Sequence, residues 1–218
     1  MNHLLYTRYD VEAPRMAGYG QWVKHRDELF KRFCLPSIIE QSRDADFKWT
    51  VYFDRKSKSV HQGSEFFTSI YVKDFDEMDK HLKETIEWMA PVVVTRLDND
   101  DALVSGFMKE TQKAIRTISP NGFVVVNFPP GWIVCGNKLY SLPNEFGNPF
   151  ISVFMPRWKD GIIGPHSRMA KTSYTVQIFK RLWIRVIHVR NKSNKLKGTL
   201  MKRKPVDIMP WLATNRKG

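Results

Sequence analysis

The sequence is poor in cysteine: its 218 residues hold two, Cys34 and Cys135, in unrelated contexts and without metal-binding spacing. That excludes a disulfide framework or a thiolate metal site and reads as two reduced thiols in a cytosolic protein. No run of about 18 apolar residues occurs, so no membrane-spanning helix is predicted. Arg8 and Asp10 interrupt the N-terminus before a long apolar stretch can form, so no secretory signal is predicted either. Internal repeats are absent. Acids are scarce at one end: residues 157–218 contain only Asp160 and Asp207 against sixteen Lys and Arg, a local net charge of +14.

What is present suits a folded enzyme-sized domain. Hydrophobic residues make up 42% and aromatics 13%, enough for one α/β domain with a full core, with or without a short appendage. The formal net charge is +13, yet residues 1–156 carry nineteen basic and twenty acidic side chains, so the basicity belongs to the last third. A one-sided field of this kind favours a polyanionic partner: nucleic acid, an anionic membrane or a phosphorylated glycan. A lysine-rich solvated tail is the plainer alternative.

The first half alternates strand and helix patterns. His3–Tyr9 reads as a strand and Gln21–Gln41 as a helix that Pro36 breaks or kinks. Phe47–Phe53 and Thr68–Val72 read as strands. A helix capped by Asp74 or Asp76 places Phe75, Met78, Leu82, Ile86 and Met89 on one face and ends at Pro91. Val92–Leu97 is a β-branched run suited to a strand buried on both faces. A helix over Ser105–Ile118 and a strand at Phe123–Asn127 follow. Trp132–Cys135 and Lys138–Leu142 flank a Gly136-Asn137 hairpin turn, Phe150–Phe154 extends that antiparallel part, and Leu182–Val189 is a last strand. The pattern predicts a mixed, mainly parallel sheet flanked by helices, with a small antiparallel part. It divides as residues 1–190, the domain, and 191–218, a basic extension in which Met209, Trp211 and Leu212 are able to dock.

In such sheets ligands bind beyond the carboxyl ends of the strands. Asp54 and the run Asp98-Asn99-Asp100-Asp101 both fall at predicted strand ends. Three carboxylates in four residues repel one another, and a hard divalent cation, Mn²⁺ or Mg²⁺, is the usual counter-charge for oxygen ligands. Asp98 and Asp100 stand in Asp-x-Asp spacing. Such a cation stabilises the diphosphate that gains charge when a nucleotide-sugar bond breaks. The bland alternative is a solvated acidic loop before a helix. An inverting sugar transfer also needs a general base; among the acids after Asp101, Glu145 and Asp160 fall on predicted loops and are the candidates.

The stretch TRLDNDDAL (Thr95–Leu103) resembles the signature of GT-A glycosyltransferases. With LLYTRYDV (Leu4–Val11), LPSIIEQS (Leu35–Ser42), FKWTVYFD (Phe47–Asp54) and WIRVIHVRNKSN (Trp183–Asn194), the chain resembles the rhamnosyltransferase-like family of bacteria and phages. The resemblance implies a GT-A, Rossmann-like fold. It implies Asp100 as the main metal ligand, Asp98 on the ribose or the metal's water shell, and Asp54 on the base or ribose. It implies His188 as a C-terminal histidine reaching the metal or diphosphate, with His166 a rival, and Arg8 and Arg96 neutralising phosphate.

The donor is then a UDP-, dTDP- or GDP-linked sugar. The acceptor is a polyanion, either hydroxymethylated phage-type DNA or a phosphorylated or lipid-linked surface glycan, met by Lys202, Arg203 and Lys204. The expected location is the cytoplasm, with peripheral attachment at the inner membrane as an option, or the host cytoplasm for a phage enzyme. A non-catalytic nucleic-acid-binding module with a vestigial acidic cluster is the competing class.

Overall fold

The computed structural model describes residues 1–58, 63–158, 174–188 and 196–214. Its main sheet has seven strands in the order β10-β6-β9-β4-β1-β2-β3. These are β1 (Asn2–Arg8), β2 (Lys48–Asp54), β3 (Thr68–Val72), β4 (Val92–Arg96), β6 (Val124–Asn127), β9 (Ser152–Met155) and β10 (Tyr174–Gln177). The β1, β2, β3 and β4 strands run parallel, β9 is inserted antiparallel between β4 and β6, and β10 is parallel to β6. The smaller sheet has the order β12-β8-β7-β11-β5, from β5 (Ala102–Leu103), β7 (Gly131–Cys135), β8 (Lys138–Leu142), β11 (Trp183–Ile187) and β12 (Thr199–Leu200). This is the mixed, mainly parallel architecture with an antiparallel part that the alternation predicts.

Helices cover both faces of the main sheet. On one side lie α1 (Tyr19–Leu29), α2 (Leu35–Gln41) and α4 (Phe107–Ile118), whose Val23, Ile38, Met108 and Ile115 pack in one core with Leu5, Val51 and Val126. On the other lies α3 (Phe75–Met89), with Met78, Leu82, Ile86 and Met89 against Leu4, Tyr52 and Val94. Asp74 caps α3 by accepting the Glu77 N–H at 3.0 Å, as its position before the apolar stripe suggests. Phe75, expected inside, instead lies on the surface beneath the Arg8 guanidinium, 5.6 Å from the ring centroid.

Pro36 does not end the helical run. A π-helical turn, Phe30–Cys34, joins α1 to α2, and the Leu35 N–H reaches back to the Phe30 carbonyl. The proline therefore falls in the first turn of α2, where its missing N–H costs little. Phe150–Phe154, expected beside the hairpin, is displaced into the main sheet as β9, where Val153 and Phe154 pair with both β4 and β6. The Gly136-Asn137 hairpin forms as read, with Gly136 at φ 58.

The basic extension returns to the body. Thr199 and Leu200 pair antiparallel with Ser141 and Tyr140, and Met209 is fully buried among Leu29, Phe33, Val134 and Val186. A short 3-10 turn (Pro205–Asp207) and α5 (Trp211–Thr214) flank it. No helix among the described residues is long and apolar enough to cross a membrane.

Two further features lock the sheets. Trp183 of β11 is fully buried, stacked on Phe150 at 4.7 Å, and donates its indole N–H to the Phe128 carbonyl. Gly131 sits directly under that indole, where a Cβ would lie 2.1 Å from the ring. Deep under β1, His3 Nε2 meets Thr95 Oγ1 at 2.8 Å and Thr95 Oγ1 meets Ser152 Oγ at 2.6 Å, so a buried polar thread crosses β1, β4 and β9.

Candidate active site

The C-terminal ends of β1, β2 and β4 converge on one edge of the main sheet, and the polar residues gather there. The loop after β4 is the centre, and each of its four consecutive residues has a separate task. Asp98 is part-exposed; it accepts from Arg96 Nη2 at 2.8 Å and Nε at 3.2 Å, and Arg8 Nη2 lies 4.0 Å away. Asn99 is buried, donating to the Tyr9 carbonyl at 3.0 Å and accepting from Arg26 at 3.1 Å. Asp100 is buried against Arg26 and His188. Asp101 accepts the Val186 N–H of β11 at 2.8 Å. Burial pushes the Asp101 carboxyl well above the usual carboxylate range, and the charges of Asp100 and Asp98 add to the effect. Its work is structural: it ties the loop to the smaller sheet.

The same tie brings β11 to the site. Two residues past Val186, His188 places Nε2 3.0 Å from Asp100 Oδ2, and His25 Nε2 of α1 lies 3.1 Å from His188 Nδ1. A carboxylate only accepts, so His188 donates from Nε2, while its Nδ1 faces His25 Nε2. Arg26, the next residue of α1, also pairs with Asp100, and its buried Nε has no hydrogen-bond partner among the described residues. Asp100 and His188 are therefore the two expected metal ligands that the fold brings together. Asp98 does not join them, being held by Arg96. Among the described residues no group of three or more His, Cys, Asp or Glu side chains is placed to share one ion. A carboxylate and an imidazole nevertheless fit a Mn²⁺ or Mg²⁺ that takes its remaining ligands from a diphosphate and water.

The residues from Tyr9 to Leu200 match the family described as putative rhamnosyl transferase. The chain belongs to that family. The family is one of glycosyltransferases, and the matched span begins just after β1 and contains every other strand of the main sheet. No curated protein matches the chain. Solved structures similar to it include Staphylococcus aureus TarS residues 1–349, at 9% identity and a TM-score of 0.47, covering 85% of this chain and 60% of that one. A putative nucleotide-diphospho-sugar transferase from Desulfovibrio desulfuricans G20 is 12% identical, with a TM-score of 0.44 and coverage of 85% and 80%. Rv0371c from Mycobacterium tuberculosis H37Rv is 10% identical, with a TM-score of 0.39 and coverage of 82% and 88%. The chain thus spans less than two thirds of the TarS fragment.

Other residues of this rhamnosyl transferase family member are placed less directly. Asp54 does end β2, but it is buried and both oxygens are engaged: Oδ1 by the Lys56 N–H at 2.9 Å and Oδ2 by the Glu12 N–H at 3.0 Å. Asp10, which the sequence reading passed over, holds the neighbouring turn by accepting the Asp54 N–H at 2.8 Å and the Tyr19 hydroxyl at 2.6 Å. Arg8 and Arg96 face the site edge as expected, although Arg96 is committed to Asp98. Burial, and then the charge of Arg96, lower the pKa of Arg8.

Glu145 is gripped by Arg185 of β11, with Nη1 at 3.2 Å and 3.1 Å from its two oxygens. A carboxylate so paired is poorly arranged to take a proton from an acceptor. Asp160 and His166 lie outside the described residues. Lys202, Arg203 and Lys204 are exposed on the C-terminal return, and Lys204 lines a cleft whose lining does not include the other two. Sequence reasoning missed His25 and Arg26, which sit in a polar run, Lys24-His25-Arg26-Asp27, that reads as the solvent face of α1. Two adjacent charged or titratable residues closing onto a loop 73 or more positions later leave no local signal.

Proposed function

We propose that this protein transfers a sugar from a nucleotide-diphosphate donor to a hydroxyl of a polyanionic acceptor. The observation that carries the proposal is the meeting of Asp100 and His188, two residues 88 positions apart in the chain, at the edge where parallel strands end. Asp100 and His188 would hold a divalent cation, which when bound supplies positive charge to the leaving diphosphate. The chain's own residues do the rest. Arg26 and His25 fix the orientation of Asp100 and His188. Arg96 holds the Asp98 carboxylate at the edge, where a carboxylate suits a ribose hydroxyl, and Arg8 stands beside it for phosphate. Asp54 shapes the β1–α1 turn that would carry the nucleoside.

Of the two base candidates, the Arg185 pair leaves Glu145 a positioning part, and Asp160 takes the base role in an inverting reaction. Replacing Glu145 by Gln should then leave measurable turnover, whereas Asp160→Asn should not.

Calorimetric titration of UDP, dTDP and GDP, with Mn²⁺ and with EDTA, tests the donor site. One nucleotide binding with Mn²⁺, and losing that dependence in Asp100→Asn, supports the reading. The binding of no nucleotide in either condition sinks it and favours a basic binding module.

A further inference from the structure

We propose that a cleft between the π-helical turn and the C-terminal return binds the phosphate-bearing part of a saccharide acceptor, an inference that rests on the transferase reading above. The cleft has a volume of about 680 Å³ and is lined by Glu28, Lys31, Arg32, Phe33, Asn137 and Lys204 among others. Three cations and one acid thus face one concavity. They come from sequence-distant elements: Lys31 and Arg32 from the π turn, Lys204 from the loop before the 3-10 turn.

Lys31 is already paired with Asp27 at 2.6 Å. Arg32 and Lys204 have no ion-pair partner among the described residues, and the Arg32 guanidinium rests 5.1 Å from the Phe33 ring centroid, which limits its wandering. Two cations outside any ion pair, on two separate elements of one cleft, attract an anion even with Glu28 in the lining and the Asp207 carboxylate accepting the Lys204 N–H at 2.8 Å. The π turn matters here, because inserting one extra residue per turn rotates Arg32 relative to a regular α-helix. Such bulges recur at functional sites.

The place of the cleft fits an acceptor. Glu28 and Arg32 lie three and seven residues beyond His25 on the same continuous helical run, so Arg32 is roughly 10 Å further along the axis. On the opposite wall, Val134 pairs with Val186 and Cys135 with Ile187, so Gly136 stands level with His188. The cleft therefore leads away from the metal ligands along the edge of the smaller sheet.

Its lining also distinguishes among polyanions. Glu28 would repel a run of phosphates but accepts sugar hydroxyls, as does the Asn137 amide. A concavity of about 680 Å³ suits a small group carrying one phosphoryl or diphosphoryl unit beside hydroxyls. A duplex, with evenly spaced phosphates on a convex surface, meets neither condition.

The test uses inorganic pyrophosphate as the probe, titrated in EDTA into the full chain. The variants are Arg32→Gln/Lys204→Gln and the control Lys202→Gln/Arg203→Gln, all four positions being exposed and harmless to the core. We expect at least tenfold weaker pyrophosphate binding in the first, no more than a twofold change in the second, and unchanged Mn²⁺-dependent nucleotide binding in both. Equal pyrophosphate affinity in wild type and Arg32→Gln/Lys204→Gln overturns the inference. So does competition by a 20-base-pair duplex that both variant pairs weaken alike, which would make the basic surface a DNA face. Should the wild type bind pyrophosphate through Arg32 and Lys204 but bind no nucleotide, the anion cleft stands and the donor reading fails.

Discussion

His188 Nε2 lies 3.0 Å from Asp100 Oδ2, across 88 residues of chain, and Arg26 closes on the same carboxylate from a third element. Asp100 is thus both an expected ligand and half of a buried ion pair. Replacing it by Ala would leave Arg26 uncompensated, at a cost of about 3–5 kcal/mol. Asp100→Asn keeps the shape and an acceptor oxygen. Asn is also neutral and leaves the Arg26 charge unpaired, so we expect both variants to lower the thermal midpoint, Asp100→Asn by less because it still accepts from Arg26, and both to lose the Mn²⁺-dependent part of nucleotide binding. Calorimetry and a melting curve on both variants check this.

His188→Ala should weaken Mn²⁺ binding in the presence of the bound nucleotide at least tenfold, or about 1.4 kcal/mol. His25→Ala should have a smaller effect in the same direction, because it orients the ring without touching the ion. Electron paramagnetic resonance of free Mn²⁺ gives both numbers.

His3 supplies a pH dependence remote from the site. Burial lowers its pKa from 6.5 to about 3, so the folded state holds the neutral ring between Thr95 and Gln112. The unfolded chain binds a proton there below pH 6.5 and the folded one does not until about pH 3. Stability from this group is therefore complete above 6.5 and falls as the pH drops towards 3. At pH 4.5 the loss is about 2–3 kcal/mol. Urea midpoints measured from pH 7.5 to 4.5 should fall less steeply for His3→Gln than for wild type.

Gly131→Ala should destabilise strongly, since the added methyl enters the Trp183 ring and the ring is held by Phe150 and the Phe128 carbonyl. Over-packing of this kind costs about 1–3 kcal/mol or more. Near-ultraviolet circular dichroism should lose part of its tryptophan signal together with the midpoint.

Met209→Ala should cost about 2–5 kcal/mol, as for other buried methionines. A urea midpoint within error of wild type would show that the C-terminal return is detachable from the body.

The local periodicities were sufficient for the parallel half of the fold. The α3 stripe from Met78 to Met89, its Asp74 cap and the β-branched Val92–Val94 run each state their structure in adjacent residues. The places where the reading went astray are those decided at a distance. Phe150–Phe154 carries a strand pattern but nothing that says whether β4 or the hairpin is its neighbour. Phe75 follows the apolar stripe yet lies outside, because the Arg8 guanidinium offers it a partner at the surface. At the site, Asp98 and Asp100 were legible from their spacing after a strand and His188 from its family block. The separation of Asp98 from Asp100 was not: it depends on Arg96 and Arg26, whose targets no pattern discloses. Met209 was only one apolar residue in a basic tail until the core around Val186 received it.

The hydrogen bond from Val186 to Asp101 gives the two sheets a common joint. One strand, β11, both anchors the carboxylate loop through Val186 and delivers His188 to Asp100, while its Trp183 is wedged against Gly131 and Phe150. Loop and histidine therefore move as one piece. A defect anywhere along β11, even one buried far below the surface, should register as weakened donor affinity before it registers as unfolding.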